Sequence, residues 1–164
     1  MNAVLSENDA QFEELEDFLV KLFGDNFRDL AKADISDFFR SNCDASFLIY
    51  RNPADKKIIA TAAIAKQTVE TKHWGISWVG VDPEHRGKGL GLSLIKDCLK
   101  KIAAQSDGSY SAELAAYPEN TALYEKVGFK SVWSANEMYH MIKVVKDYAD
   151  ITNVSIIMPK PVVA

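Results

Sequence analysis

Apolar residues at Phe12, Leu15, Phe18, Leu19, Leu22 and Phe23 fall three and four positions apart, and the pattern stops at Gly24. That spacing predicts an amphipathic helix over "DAQFEELEDFLVKLF" with glycine as its terminator. A second helical stretch is expected from about Asn26 to Arg40, where Phe27, Leu30, Ala31, Ile35, Phe38 and Phe39 recur at similar spacing. Upstream, "NAVLS" reads as a short first strand. Further on, the helical period gives way to runs rich in β-branched and aromatic residues. "ASFLIYR", "IIATAAIAKQTV" and "HWGISWVGV" are separated by "NPADKK" and "ETK", so three strands joined as antiparallel hairpins are expected.

The helical period returns from Leu90 to about Ala104, with Leu92, Ile95, Leu99 and Ile102 on one face. After "SDGS" comes a strand-like "YSAELAA", and "YPEN" then opens a shorter helix that ends at Val127 before Gly128. "FKSVW" and "MYHMIKVV" read as a closing hairpin. This order predicts an α/β (α+β) fold on a mixed, mostly antiparallel sheet, and excludes the strict alternation of a doubly wound parallel fold. Residues 1–150 make one domain. Residues 151–164, with "NVSIIM" ahead of two prolines, are expected to be a strand or tail packed on the same domain or on a partner.

Composition narrows the function. The 164 residues suffice for one domain with its own core. A net charge of −4 and no basic stripe argue against a nucleic-acid partner. No apolar run is long enough to span a bilayer, and the acidic N-terminus lacks the features of a signal peptide, so a cytoplasmic protein is expected. Cys43 and Cys98 match no metal or redox spacing; Cys98 is read as a small apolar helix residue. No metal is expected, and a homodimer is compatible with the chain.

The chemistry concentrates in "HRGKGLG", His85 to Gly91, between a strand and a helix. Backbone N–H groups at a helix start, together with the helix dipole, favour phosphate oxygens. Neither the GxxxxGK[ST] phosphate loop nor the GxGxxG dinucleotide fingerprint is present, since Gly87, Gly89 and Gly91 give GxGxG. The string "VGVDPEHRGKGLGLSLI" does resemble the pyrophosphate loop of the GNAT superfamily of acyl-coenzyme A-dependent N-acyltransferases, with signature [QR]xxGx[GA]. Arg86, Gly89 and Gly91 stand at its defined positions, and "LYEKVGF", Leu123 to Phe129, resembles the family's second coenzyme A motif.

The resemblance implies a sheet of six to seven strands with helices on both faces and a splay between the fourth and fifth. It implies acetyl-CoA as co-substrate, held by the loop from Arg86 through Gly87, Lys88, Gly89 and Leu90 to Gly91. It implies that the pantetheine arm pairs with the strand edge at Val79 and Val81, and that Tyr124 protonates the departing sulfur.

Two departures bear on the site. Where the family often has an asparagine seven residues before its tyrosine, position 117 is Tyr; Asn120 is the nearest asparagine, as a coenzyme A contact or only a helix cap. The two positions where members often carry a catalytic Glu correspond to about Gly75 and Ala115. Strand alternation puts His73 and Ser77 on the face of Gly75, and Glu113 on that of Ala115. Glu113, His73 or a water relay is then left to take the amine's proton.

The expected activity is transfer of an acetyl group from acetyl-CoA to a primary amine, carried by a small molecule or a peptide, in a ternary complex. The alternative is a catalytically weak acyl-CoA-binding sensor or partner subunit, motivated by the missing carboxylates. Asp25, Asp29 and Asp37 are candidate attractors for a cationic acceptor.

Overall fold

The computed structural model describes residues 10–40, 44–67 and 71–145. The expected strand "NAVLS", Cys43, the end of the second expected strand at 68–69 and the tail at 151–164 lie outside the described residues. The elements are α1 (Ala10–Phe23), α2 (Arg28–Arg40), β1 (Ala45–Arg51), β2 (Ile58–Lys66), β3 (His73–Val81), α3 (Leu90–Gln105), β4 (Tyr110–Ala116), α4 (Thr121–Glu125), β5 (Lys130–Ala135) and β6 (Met138–Val145).

Two helix starts differ from expectation, each for a local reason. Gly24, at φ 110°, ends α1, and Asp25–Phe27 form a 3₁₀ turn before α2 begins at Arg28. Pro118 bars Tyr117 from helical geometry, so Tyr117 is extended and Pro118–Asn120 make a 3₁₀ turn ahead of a shorter α4.

The sheet order is β1-β2-β3-β4-β6-β5. All neighbours run antiparallel except β3 and β4, which run parallel and pair only from His73–Gly75 to Ser111–Glu113. Beyond that the two strands part. The expected splay is therefore between β3 and β4, the count differing by the expected strand over "NAVLS".

Each face of the sheet has its own core. On one, Leu94, Ile95, Cys98, Leu99 and Ile102 of α3 pack on Ala60, Ala62, Ile64, Trp74, Ile76 and Leu114, with Tyr124 of α4 beside them. On the other, Leu15, Phe18 and Leu19 of α1 and Ala31 and Ile35 of α2 cover Phe47, Ile58 and Ala63. β2 is buried on both faces, which is why "IIATAAIA" reads as a continuous run rather than an alternation. Truncating a fully buried anchor such as Ile95 to Ala should cost about 2–5 kcal/mol.

One irregularity positions the site. Thr61 pairs with Gly80 but Ala63 with Ser77, so β3 carries an extra residue, and Trp78 sits at φ 50°. The bulge resets the alternation. Trp74 and Ile76 face α3, Trp78 turns to the α1 side, and Val79 and Val81 face α3 again. At Gly80 a Cβ would lie 2.6 Å from Leu22 Cδ1, so this glycine lets α1 cross close to β3.

Candidate active site

The glycine loop grows directly out of β3. Asp82 follows the strand and caps the turn Pro83–His85, its carboxylate accepting from the Glu84 N–H at 3.1 Å and from Lys21 Nζ at 2.5 Å. The hydrogen bond from Lys21 holds the Asp82 carboxyl below its usual range, and so ties α1 to the base of the loop. Arg86 then doubles back, its Nε donating to the Val81 carbonyl at 3.0 Å, while Lys88 is exposed.

Gly87 and Gly89 have φ of 76° and 77°, the left-handed region that only glycine enters without strain. A Cβ at either would meet nothing within 4 Å. The curl of the backbone, rather than crowding by the protein, thus calls for glycine, and the space before the loop is open. Gly89 precedes α3 with no side-chain cap, which leaves the first N–H groups of the helix, from Leu90 onward, without intrahelical acceptors. A Cβ at Gly91 would lie 3.5 Å from Leu123 Cδ2 and 3.8 Å from Val81 Cγ2. Loop, end of β3 and start of α4 therefore meet at one point.

The edge of β3 faces the same point. The Asp82 N–H donates to the Ile59 carbonyl on the β2 side. Alternation then turns the N–H and C=O of Val81 and Val79 to the opposite edge, where β4 has already diverged. Of these groups, the Val81 carbonyl is engaged by Arg86.

Tyr124 is buried in α4, edge-on to Phe129 with ring centroids 6.2 Å apart. Its hydroxyl has no hydrogen-bond partner among the described residues. Burial pushes the phenol up to about 12, so the hydroxyl keeps its proton at neutral pH. The turn behind it is closed by N–H groups of Val127 and Phe129 on the Tyr124 carbonyl, and by Gly128 at φ 92°. Asn120 is exposed and makes no side-chain cap, so the cap reading is corrected; Thr121 Oγ1 instead donates to the Pro118 carbonyl at 3.0 Å. Cys98 is fully buried and burial pushes its thiol up to about 12, which leaves it unreactive.

At the other end of the splay, where β3 and β4 still pair, the structure joins two candidates the sequence kept apart. His73 Nε2 lies 3.3 Å from Glu113 Oε2, and His73 Nδ1 lies 2.7 Å from Ser111 Oγ. In the neutral tautomer with the proton on Nε2, the imidazole faces the Glu113 carboxylate with its N–H and accepts from the Ser111 hydroxyl at Nδ1. Glu113 opens onto a cleft of about 300 Å³ floored by Gly75, Ser77 and Ala115, with Phe38 of α2 and His140 of β6 beside it. Gly75 and Ala115 thus line the same cleft as Glu113, and neither carries a side chain that could act as a base. Asp25, Asp29 and Asp37 are exposed and none lines it.

Several contributors were invisible in the sequence. His140 is stacked on Trp133 at 3.6 Å between centroids and 6° between planes, and the Trp78 indole N–H donates to Asp34 at 2.8 Å. These partners come together only through strand pairing and the bulge, and no local pattern announces them.

The sequence profile of the acetyltransferase (GNAT) family matches residues 10–129. This chain belongs to that family. It is, by membership, an acyl-CoA-dependent N-acetyltransferase. No curated protein matches the chain by sequence. Solved structures share the fold: an aminoglycoside 6'-N-acetyltransferase complexed with coenzyme A is 15% identical, with a TM-score of 0.69 over 88% of this chain and 96% of that one. A spermidine N-acetyltransferase SpeG chimera from Vibrio cholerae and hSSAT is 17% identical, with a TM-score of 0.60 over 85% and 93%. The protein PH1933 from Pyrococcus horikoshii OT3 is 25% identical, with a TM-score of 0.65 over 88% and 97%. Among the described residues, no helix of this family member is long and apolar enough to cross a membrane.

Proposed function

We propose that the protein transfers an acetyl group from acetyl-CoA to a primary amine directly, within a ternary complex. The observation that carries this reading is the convergence of the open β3 edge, the glycine loop and the Tyr124 helix at Gly91. The residues present fit a coenzyme A pyrophosphate: a curled loop with open space before it and unpaired helix N–H groups behind it. The N–H groups of Gly87 to Gly91, Leu90 included, hold the pyrophosphate, and Arg86 and Lys88 add charge. Val79 and Val81 pair with the pantetheine arm along the strand edge, and Asn120 supplies a polar contact at the start of α4.

In the chemical step the amine nitrogen bonds to the thioester carbon and the carbon–sulfur bond breaks. Tyr124 donates its hydroxyl proton to the departing sulfur; burial keeps that hydroxyl protonated and free of a protein partner, while making it a weaker acid than an ordinary phenol. The amine's proton leaves through water beside Glu113, which His73 and Ser111 hold in place. The products are an amide and the free thiol of coenzyme A. Initial rates of thiol release, with both substrates varied, test the reading. Intersecting lines are expected. Parallel lines would indicate an acyl-enzyme and overturn direct transfer.

A further inference from the structure

The cleft beside Glu113 differs from what a polycation needs. Among the described residues Glu113 is the one carboxylate that lines it. Phe38, Ala65 and Ala115 give apolar side-chain surface, Ile76 and Leu114 turn their side chains to the α3 core, and Gln67 and Ser77 are neutral polar neighbours. Asp34, near in sequence to Phe38, is engaged by the Trp78 indole and does not line the cleft. His140 presents a ring fixed flat on Trp133. A second ammonium placed here would find no second carboxylate among the described lining residues, only the neutral Gln67 and Ser77 side chains and apolar surface. The volume of about 300 Å³ is at the small end for a ligand site and suits a compact group.

We infer that the acceptor is a monoamine with a compact aromatic or branched apolar body, and neither a polyamine nor an aminoglycoside. The inference rests on the acetyl-transfer reading above and assigns that same site its substrate class. The ammonium pairs with Glu113 before it loses its proton. The apolar body lies between Phe38 and His140, over Ala115. The geometry thereby separates this chain from the aminoglycoside and spermidine acetyltransferases whose fold it shares.

The test compares 2-phenylethylamine and isoamylamine with spermidine and kanamycin, as acceptors with acetyl-CoA and as ligands titrated calorimetrically into the protein with coenzyme A bound. The expected result is a kcat/KM for the monoamines at least about tenfold above the polycations, the scale on which an apolar pocket discriminates. Ala115→Leu, which fills the cleft from an exposed position, should raise KM for 2-phenylethylamine by about tenfold and leave KM for acetyl-CoA unchanged. A preference for spermidine or kanamycin would overturn the substrate class and leave the transferase reading intact. Monoamine binding without turnover would do the reverse. Neither binding nor turnover of a monoamine, or an unchanged KM in a folded Ala115→Leu variant, would also overturn the class.

Discussion

The two ends of the β3–β4 splay are built on opposite principles. At the loop end, binding groups are backbone N–H and C=O atoms, set by two left-handed glycines, a helix start and an unpaired strand edge. At the Glu113 end they are side chains contributed by α2, β3, β4 and β6, with Ser111 and His73 orienting the carboxylate. Backbone recognition requires particular residues at particular spacings, because only glycine tolerates the curl. Side-chain recognition requires only that some suitable group reach the cleft, so many sequences satisfy it. In the proposed reaction the first end serves coenzyme A, whose chemistry is always the same, and the second an acceptor that can differ from one protein to the next.

The sharpest way to break this contrast is at Tyr124, between the two ends. Tyr124→Phe should lower kcat by about the 10²–10⁴-fold typical of a general acid, with little change in coenzyme A affinity, read from initial rates and calorimetry. Full activity in the variant would remove the acid assignment. At the loop end, Gly89→Val forces a β-branched residue to φ 77°, a strain of about 1–3 kcal/mol on a loop that must keep its shape to bind. Coenzyme A affinity should fall by at least the corresponding ~10–100-fold while the far-ultraviolet circular dichroism persists. Unchanged affinity in a folded protein would exclude this loop as the phosphate site.

At the other end smaller effects are expected. Glu113→Gln should raise KM for the amine and change kcat only modestly, because water carries the proton away. A kcat loss as large as that of Tyr124→Phe, with the alkaline-rising limb of the pH profile displaced, would make the carboxylate itself the base.

The smallest effect concerns stability at high pH. The folded pKa of Tyr124, about 12, exceeds the usual 10, so the unfolded chain gives up this proton first. The stability contributed by the protonated phenol is complete below about pH 10 and lost as pH rises toward 12. Urea midpoints measured at pH 8, 10 and 11 should therefore decline less steeply in Tyr124→Phe than in the native protein.

Much of the fold was legible along the chain, for reasons tied to particular elements. β1, β3 and β4 match their expected spans because polar breaks bound them, most containing Gly, Pro, Asn or Asp, and α3 follows an unbroken helical period. Where periodicity and a proline or glycine competed, at Asp25–Phe27 and Pro118–Asn120, the local backbone restriction won. The bulge at Trp78 left no signal, because "ISWVGV" reads as an ordinary strand whichever face each side chain takes.

By itself the sequence determined the site's donor end. Arg86, Gly87, Gly89 and Gly91 fall within six consecutive residues, and a left-handed loop before a helix is a local structure that its own residues dictate. Only the tertiary structure decided the acceptor end. His73 and Glu113 are forty residues apart and meet because β3 and β4 pair in parallel over three positions before separating. Trp133 and His140 stack, and Phe38 reaches the cleft, through contacts between elements that are distant in the chain or across a bulged hairpin. Such proximity is set by register and packing, which depend on the whole sheet and leave no motif in any one segment.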